Sequence, residues 1–501
     1  MSSPSTTLRT VVHDFAQGVM LYNRESMADF KQLKNWFKKT GYHLIIAADA
    51  MPRNFALRGK AVSQIPAGGV AVILDSIAQA TSATYIGRSR VHNQSADFTV
   101  KTTKGRYHLK SIALTPAEEA GHYNGFANQT LWPLCHVAFE EPRFVTKWYE
   151  TYKKVNQKYA KAIKASLKPG QKNFIWVNDY QLALVPHYLG TLPENTTLAM
   201  FWHIPWPTWE IFRILPYKEK ILNSMLKCNF LGFHRSYHVQ NFIQSVAREL
   251  QTRINYDTRT VYLNLHATVV RNLPLGVDVD MIRSGRRKAR VFKDYFKRYQ
   301  VIFSVDRLDY TKGIKYRLQA LDHFFTHYPG YRGKAVYLGL IAPSRESIPA
   351  YHRLKNQIMD QAAKINLKHQ TKTWQPIHLV YDLFDRAELM NFYYQARACL
   401  VTPRDDGMNL VSKEFVVAAA QSRDPGMLVL SQFAGSAIDL KAAIIINPYD
   451  VKAITEAIKT ALEMPVEEKK QRMSKMSRVL EEKNVYHWAI DFLKEAIDAE
   501  A

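Results

Sequence analysis

The amino-acid sequence predicts an α/β fold made of two domains, each with a parallel β-sheet. Short apolar runs alternate with helical patterns along the chain, which is typical of parallel strands joined by helices. The chain has 501 residues. Single hydrophobic cores stop growing at about 250–300 residues, so two domains are expected. Polar side chains follow several of the predicted strands, at the edge where α/β sheets bind their ligands.

The predicted elements of the first half rest on their periodicity. Short apolar runs bounded by polar residues predict buried strands, and apolar residues at a 3.6-residue period predict helices. The strands are Leu44–Ala48, Phe174–Asn178, Leu198–His203 and Val269–Leu273. The helices are Val70–Ala80, Lys218–Lys227 and Val239–Leu250, and residues 28–39 form a basic amphipathic helix before the first strand.

The second half repeats this architecture without repeating the sequence. The strands are Val301–Val305, Ala335–Leu340, His378–Tyr381, Ala398–Thr402, Met427–Leu430 and Ala443–Ile446. The helices are Ile314–Tyr328, Tyr351–Ile365, Arg386–Gln395 and Asn409–Ala420. The charged stretch Ser284–Arg298 between the halves is the predicted linker. We therefore expect an extension over 1–40, a first domain over 41–285 and a second domain over 286–475.

Composition excludes several classes of function. Only Cys135, Cys228 and Cys399 occur, far apart in sequence, which argues against a disulfide framework or a zinc site and favours a reducing compartment. No apolar run approaches the roughly 20 residues of a membrane helix, and the polar N-terminus lacks a secretory pattern. A cytoplasmic location and no membrane partner are expected. The net charge of +24 is spread along the chain without a nucleic-acid-binding motif, so anionic metabolites are the expected partners.

The segment SVDRLDYTKG, residues 304–313, predicts a diphosphate site. A strand ends in a loop with Arg307 and Lys312, and Gly313 opens a helix. Two cations beside a helix N-terminus attract a diphosphate because the exposed N–H groups add to the fixed charges. The alternative is that Arg307 pairs with Asp306 or Asp309 and Lys312 is solvated.

The segment VTPRDDGMNLVSKEF, residues 401–415, predicts a sugar-binding loop. Asp406 lies in the turn after a strand, and Glu414 lies two turns into the following helix. Carboxylates suit sugar and ribose hydroxyl groups because each accepts two hydrogen bonds. The alternative is a capped helix with a surface Glu414. A third loop with Gly68 and Gly69 lets the backbone approach a ligand closely, although two glycines alone are weak evidence.

These segments, together with IAPSRESIPAYHRLK, LVLSQFAGSA, NGFANQTLWPLCH, IWVNDYQLALVP and FWHIPWPTWEIFRILP, resemble trehalose-6-phosphate synthases in order and spacing. The likeness runs from about Leu44 to Trp488. It implies the GT-B arrangement of family 20 glycosyltransferases, with two Rossmann-like domains facing across a cleft. It also implies that residues 476–501 form a helix crossing back to the first domain. The implied reaction is retaining and needs no metal or cofactor: glucose passes from a nucleotide diphosphate sugar, expected to be UDP-glucose, to glucose 6-phosphate.

The resemblance also assigns residues. It implies catalytic roles for Arg307, Lys312, Asp179 and His203, with Asp179 orienting the acceptor. The implied donor-binding residues are Gly68, Gly69, Arg307, Lys312, Asp406, Gly407, Met408, Asn409, Leu410 and Glu414. The implied acceptor-binding residues are Tyr123, Trp132, Asp179, Arg345 and Arg88. Alternatively, Tyr123 and Trp132 are core aromatics and His203 is a structural hydrogen-bonding residue.

The acceptor side departs from the family pattern. Ala50 stands where an arginine usually helps to bind the acceptor phosphate, Arg88 replaces a tryptophan, and Asp405 replaces an arginine. Arg88 or Arg53 could supply the missing charge. The alternatives are a different phosphorylated acceptor, as in glucosylglycerol-phosphate synthases, a pseudo-glycosyltransferase, or a non-catalytic regulatory subunit. Self-association and the donor base stay open.

Overall fold

The computed structural model describes residues 28–52, 69–137, 139–285 and 292–500. The predicted donor residue Gly68 and the candidate cation Arg53 lie outside the described residues. So do residues 1–27 of the predicted extension and residues 286–291 of the predicted linker. In the described part, no helix is long and apolar enough to cross a membrane.

The first domain contains a ten-stranded sheet in the order β3-β4-β2-β1-β5-β6-β7-β10-β9-β8. Its strands are β1 (Tyr42–Ala48), β2 (Thr84–Arg88), β3 (Asp97–Lys101), β4 (Arg106–Ile112), β5 (Lys172–Asn178), β6 (Thr196–Phe201), β7 (Phe230–Phe233), β8 (Arg253–Asn255), β9 (Thr260–Leu263) and β10 (His266–Asn272). The strands from β4 to β10 run parallel, and antiparallel β3, β9 and β8 close the two edges. The carboxyl ends of the parallel strands therefore meet at one edge.

The second domain contains a six-stranded, wholly parallel sheet in the order β13-β12-β11-β14-β15-β16. Its strands are β11 (Gln300–Arg307), β12 (Ala335–Ala342), β13 (Ile377–Val380), β14 (Ala398–Val401), β15 (Met427–Ser431) and β16 (Ile444–Ile446). Because β11 and β14 are neighbours, the loops that follow them lie side by side. The two loops singled out in the sequence follow these two strands.

Helices cover both sheets. Those of the first domain are α1 (Ala28–Thr40), α2 (Val70–Thr81), α3 (Pro116–Glu119), α4 (Trp132–Cys135), α5 (Thr146–Lys164), α6 (Val185–Leu189), α7 (Trp209–Phe212), α8 (Lys218–Met225) and α9 (Ser236–Glu249). Along the chain, α10 (Val279–Ser284) and α11 (Lys293–Arg298) lie between the last strand of the first sheet and the first strand of the second. The second domain contributes α12 (Ile314–His327), α13 (Pro349–His369), α14 (Arg386–Gln395), α15 (Leu410–Ala419), α16 (Val451–Glu463) and α17 (Val466–Glu482), and α18 (Val485–Asp498) ends the chain. A π-helix, Ala120–Leu131, joins α3 to α4.

The last helix, α18, crosses back to the first domain. Trp488 and Phe492 pack on Trp176 of β5 and Phe201 of β6. The crossing lies between α17 and α18, so the boundary expected after residue 475 falls inside α17, which packs on the second domain. At the crossing, an added Cβ on Gly276 would lie 2.3 Å from the carbonyl oxygen of Lys483. Only glycine lets the two connecting segments approach so closely.

Helix α1 belongs to the first domain and does not stand apart as an extension. Phe30, Leu33 and Phe37 are buried in a core shared with α2 and α18. Asn484 donates a hydrogen bond of 2.7 Å to Asp29, which ties the start of α1 to the N-cap of α18. The lysines of α1 lie on the opposite face, which explains the amphipathic pattern.

Candidate active site

The loops after β11 and β14 meet in the cleft. Lys312 ends a short 3-10 turn after β11, and its Nζ lies 2.5 Å from Oδ2 of Asp406, which follows β14. The backbone N–H of Arg404 donates to the carbonyl of Thr311 over 2.6 Å, so the two loops are also joined through their backbones. The cationic and the acidic loop predicted from the sequence therefore form one site.

Electrostatics favour the ion pair between Lys312 and Asp406. Burial works to raise the pKa of Asp406, but Lys312 outweighs it and holds the pKa of that carboxyl below its usual value. Asn409 donates a second hydrogen bond, of 3.0 Å, to the same carboxylate oxygen. Asp406 is therefore ionised and ready to accept hydrogen bonds from sugar hydroxyl groups.

Arg307 does not pair with its acidic neighbours in sequence. Asp306 is bound by Arg317 at 2.7 Å, and Asp309 is bound by Arg345 at 3.0 Å. Arg307 is exposed and makes no side-chain hydrogen bond or ion pair with any described residue. It therefore presents an uncompensated positive charge to the cleft, as the diphosphate prediction requires.

The turn between Asp406 and α15 brings the second domain against the first. A Cβ on Gly407 would lie 2.4 Å from the carbonyl oxygen of His203, so only glycine fits at this contact. Met408 is buried in the core of the first domain. Asn409 caps α15 by accepting a hydrogen bond of 3.0 Å from the N–H of Ser412. The backbone from Gly407 to Leu410 is thus fixed at the helix start.

Glu414 is not the surface residue of the alternative interpretation. It is buried on α15, and its Oε1 accepts a hydrogen bond of 2.9 Å from Arg386 at the start of α14. Burial raises the pKa of Glu414 above its usual value, although Arg386 opposes the shift. A ribose hydroxyl binding here would add to this ion pair.

The first domain contributes Asp179 and His203 after β5 and β6. The Asp179 carboxylate accepts hydrogen bonds from the backbone N–H groups of Tyr180, at 3.0 Å, and His203, at 3.1 Å. Burial still raises the pKa of Asp179 to about 7. Burial also lowers the pKa of His203 to about 3, so its ring is neutral and donates through Nε2 to Asn178 at 3.1 Å. That hydrogen bond fits the structural role considered for His203.

Arg345 joins the two domains on the acceptor side. Its guanidinium lies over the ring of Trp132, 4.1 Å from the centroid. Nη1 donates to Asp309 at 3.0 Å and to the Tyr351 hydroxyl at 2.5 Å. Nη2 reaches the Tyr180 hydroxyl at 3.3 Å. A buried, rigid cation of this kind can hold a phosphate or sugar oxygen without losing side-chain entropy.

Arg88 lies beside Tyr123, 4.5 Å from the ring centroid, but it is not a free cation. Asp49 accepts from it at 3.2 Å and Glu119 at 2.7 Å. His122 donates to the same Asp49 carboxylate at 3.3 Å. The charge that was expected to replace the arginine missing at Ala50 is therefore already neutralised by two carboxylates.

Three site residues that are not glycine adopt left-handed backbone conformations. Asp179 has φ 72°, Arg345 has φ 51° and Asn409 has φ 75°. Each such residue costs on the order of 1–3 kcal/mol, and strain of this kind collects where function requires a fixed geometry. They lie in three different loops, after β5, β12 and β14.

Several buried polar atoms at the cleft have no hydrogen-bond partner within the described residues. They include Nε1 of Trp132, Nε of Arg345 and Nδ1 of His203. Trp132 and Arg345 are in contact, so the two residues that carry these unused donors are neighbours. Buried polar groups are normally satisfied, and unused ones mark positions where a ligand supplies the partner.

Sequence reasoning missed two residues of the site. The ring of His136 is tilted by 32° against that of Trp132, which lies one helical turn earlier, with ring centroids 4.0 Å apart. Burial lowers the pKa of His136 to about 4. The four-residue spacing in WPLCH could have revealed it. No spacing signal links Arg386 to Glu414, which lies 28 residues later.

The remaining predicted donor residue, Gly69, is the N-cap of α2 with φ 92°. That conformation is open to glycine and strained for other residues. Among the described residues, no group of three or more His, Cys, Asp or Glu side chains is arranged to hold a metal ion.

Comparison with known proteins places this geometry in a family context. The model of glycosyltransferase family 20 matches residues 46–498. The chain is 32% identical over 475 residues to a bifunctional trehalose-6-phosphate synthase/phosphatase from Thermoproteus tenax, covering 91% of this chain and 64% of that protein. It is 33% identical to an α,α-trehalose-phosphate synthase from Dictyostelium discoideum, of which it spans 51%. It is also 33% identical to a trehalose-6-phosphate synthase from an Enterobacter species, covering 86% of this chain and 91% of that protein.

Solved structures agree with the fold. An α,α-trehalose-phosphate synthase from Burkholderia xenovorans in complex with glucose 6-phosphate superposes with a TM-score of 0.82 at 29% identity, covering 91% of this chain and 99% of that one. An E. coli structure bound with UDP-2-fluoro glucose superposes with a TM-score of 0.80, also at 29% identity, covering 91% of this chain and 98% of that one.

Proposed function

Because this chain belongs to glycosyltransferase family 20, we propose that it transfers glucose from UDP-glucose to glucose 6-phosphate with retention, giving trehalose 6-phosphate. The observation that carries the proposal is the meeting of Lys312 and Asp406 at 2.5 Å, beside the unpaired Arg307. This arrangement puts two cations and a carboxylate next to each other in the cleft. It matches a diphosphate sugar.

In this proposal the second domain holds the donor. Arg307 and Lys312 neutralise the charge that builds on the diphosphate as the sugar–phosphate bond breaks, and the fixed N–H groups at the start of α15 add to them. Asp406 accepts hydrogen bonds from the glucose hydroxyl groups, and Glu414 accepts from the ribose. Because the positive charge comes from these side chains, the proposed step needs no metal or cofactor.

The transfer proceeds on one face of the sugar. The bond from the anomeric carbon to the diphosphate oxygen breaks, and a bond to the acceptor hydroxyl oxygen forms. The departing phosphate oxygen takes the proton of that hydroxyl, so UDP leaves and no protein nucleophile is needed. Asp179, which lies at the edge of the first sheet, orients the acceptor hydroxyl groups. Contact between Gly407 and His203 keeps water out of the closed cleft.

The acceptor is held between the domains. Arg345 and Trp132 are neighbours and each has an unused N–H donor, which suits a phosphorylated sugar. This part of the proposal has a competitor, supported by one observation. Ala50 has no charge, and Arg88 is neutralised by Asp49 and Glu119. A subsite with so little free positive charge also fits a different phosphorylated acceptor, such as glycerol 3-phosphate.

The test is an acceptor panel. The chain is incubated with UDP-glucose and either glucose 6-phosphate, glycerol 3-phosphate or unphosphorylated glucose, with EDTA present. Released UDP is quantified and the product is identified by mass and by the configuration of its new bond. We expect the fastest release with glucose 6-phosphate and a retained configuration. Faster UDP release with glycerol 3-phosphate would show that glycerol 3-phosphate, and not glucose 6-phosphate, is the acceptor. No UDP release with any of the compounds would refute the proposed transferase activity.

The location of the protein is part of the same proposal. All three cysteines, Cys135, Cys228 and Cys399, are free and buried. Free thiols together with phosphorylated substrates fit the cytoplasm, where both persist.

A further inference from the structure

A second cavity opens between the domains, on the other side of the loop that carries Lys312. Its volume is about 220 Å³. The side chains that matter are Phe139 and Glu140 from the first domain and Lys315, Tyr316, Arg353 and Arg404 from the second. Arg307, Lys312 and Asp406 are not among its lining residues, so the cavity is separate from the donor site.

The cavity is positively charged. Within the described part of the chain, Arg353 makes no side-chain hydrogen bond or ion pair. Among the described residues, the Arg404 side chain donates only to the Tyr449 hydroxyl, at 3.2 Å, and the Lys315 side chain only to the amide oxygen of Gln357, at 3.4 Å. The acidic lining consists of Glu140 and of Asp309, which Arg345 and Tyr351 already bind. Three cations therefore face one available carboxylate.

The cavity also has apolar and aromatic walls. The guanidinium of Arg404 lies 5.6 Å from the ring centroid of Phe139, 5.9 Å from that of Tyr316 and 5.3 Å from that of Tyr449. Ile314, Ala350 and Leu354 complete the wall. Cations beside apolar surface suit a small organic molecule that carries a phosphate group.

We propose that this cavity is a second anion site, which binds a phosphate monoester or inorganic phosphate apart from both substrates. The site goes beyond the proposed transfer reaction. Its occupant would contact both domains at once, because Phe139 and Glu140 belong to the first domain and the three cations to the second.

The same residues connect the cavity to the donor loops. Arg404 stands two positions before Asp406, and its backbone N–H binds the carbonyl of Thr311 next to Lys312. Lys315 lies in the first turn of α12, which begins two residues after Lys312. A ligand held here biases the position of the loops that bind the donor, and coupling between two sites is reciprocal. The anion therefore alters the KM for the donor.

Binding is measured by calorimetry on the full chain with UDP saturating the donor site, at constant ionic strength, using inorganic phosphate and fructose 6-phosphate as probes. The variants are Arg353→Ser and Lys315→Ser. The control is Lys364→Ser, an exposed lysine on the same helix as Arg353 that removes the same charge outside the cavity. Loss of one charge-assisted hydrogen bond predicts about tenfold or greater weakening in each cavity variant. We expect no change in the control.

We also expect the added probe to shift the KM for the donor, and we expect Arg353→Ser to abolish this shift. Tighter binding of fructose 6-phosphate would identify a sugar phosphate as the ligand, and equal binding would identify inorganic phosphate. Two results would overturn the site: unchanged affinity in both cavity variants, or an equal loss in Lys364→Ser. The calorimetric result does not depend on turnover, so it stands apart from the proposed reaction.

Discussion

Replacing Gly407 with alanine tests whether the contact between the domains belongs to the working enzyme. The new Cβ would lie 2.4 Å from the carbonyl oxygen of His203 and 3.2 Å from the carbonyl carbon of Ile204. Both are backbone atoms, so no flexible side chain can move aside. The domains must separate by several tenths of an ångström before the methyl group fits.

The cost follows from overpacking. Inserting a methyl group into a filled contact costs about 1–3 kcal/mol, which reduces the closed population by about five- to 150-fold. Gly407 lies where the domains touch, outside the sheets, so each domain keeps its own core. We therefore expect kcat/KM to fall within that range while the melting temperature changes little.

The assay is UDP release with glucose 6-phosphate, paired with thermal unfolding. Gly330→Ala is the matched control, because a Cβ there meets nothing within 4 Å. Wild-type turnover in Gly407→Ala would show that the contact is not used during catalysis. A loss of turnover in Gly330→Ala as well would show that the effect is not local.

Three further predictions follow from the same geometry. Lys312→Ala should lower kcat by about 100- to 1,000-fold in the UDP-release assay, because it removes a cation from the leaving diphosphate; near-normal kcat would contradict the assignment. Burial raises the pKa of Asp405 from 3.8 to about 7, so the folded state binds more protons across that window and stability falls as pH rises through it. In Asp405→Asn the decrease in melting temperature from pH 5 to pH 7.5 should be smaller, although Asp179, whose pKa is also raised, still contributes to it. An unchanged decrease would refute the raised pKa of Asp405. Glu119→Gln should remove one of the two counter-ions of Arg88, leaving Asp49, and lower the KM for glucose 6-phosphate by up to about fivefold, in line with a partly exposed pair; a raised KM would show that Arg88 does not face the phosphate.

The sequence was informative where periodicity and loop chemistry act locally. The strands before SVDRLDYTKG and VTPRDDGMNL were predicted because both are short apolar runs, and adjacent parallel strands must bring their loops together. That arrangement placed Lys312 and Asp406 in one cleft, although the ion pair between them was not predicted. Helix α15 begins one residue after the predicted Asn409, because Asn409 is its cap.

Features that depend on packing between distant segments were not predictable. Strand β3 alternates polar and apolar residues at an exposed edge, and β7 is a four-residue strand recognisable only by its neighbours. The pairing of Arg88 with Asp49 and Glu119 joins three separate segments, and the sequence showed only an unexplained arginine. Arg88 could be proposed from the sequence as the replacement for the charge missing at Ala50, but its counter-ions could not be predicted.

The account depends on two loops of the second domain binding one nucleotide sugar. The most direct measurement is a crystal structure of the chain with UDP bound. The account predicts the diphosphate within hydrogen-bonding distance of Lys312 Nζ and the Arg307 guanidinium, with Asp406 bordering the vacant sugar position. A diphosphate bound elsewhere, with Lys312 still on Asp406 and Arg307 still in solvent, would contradict it.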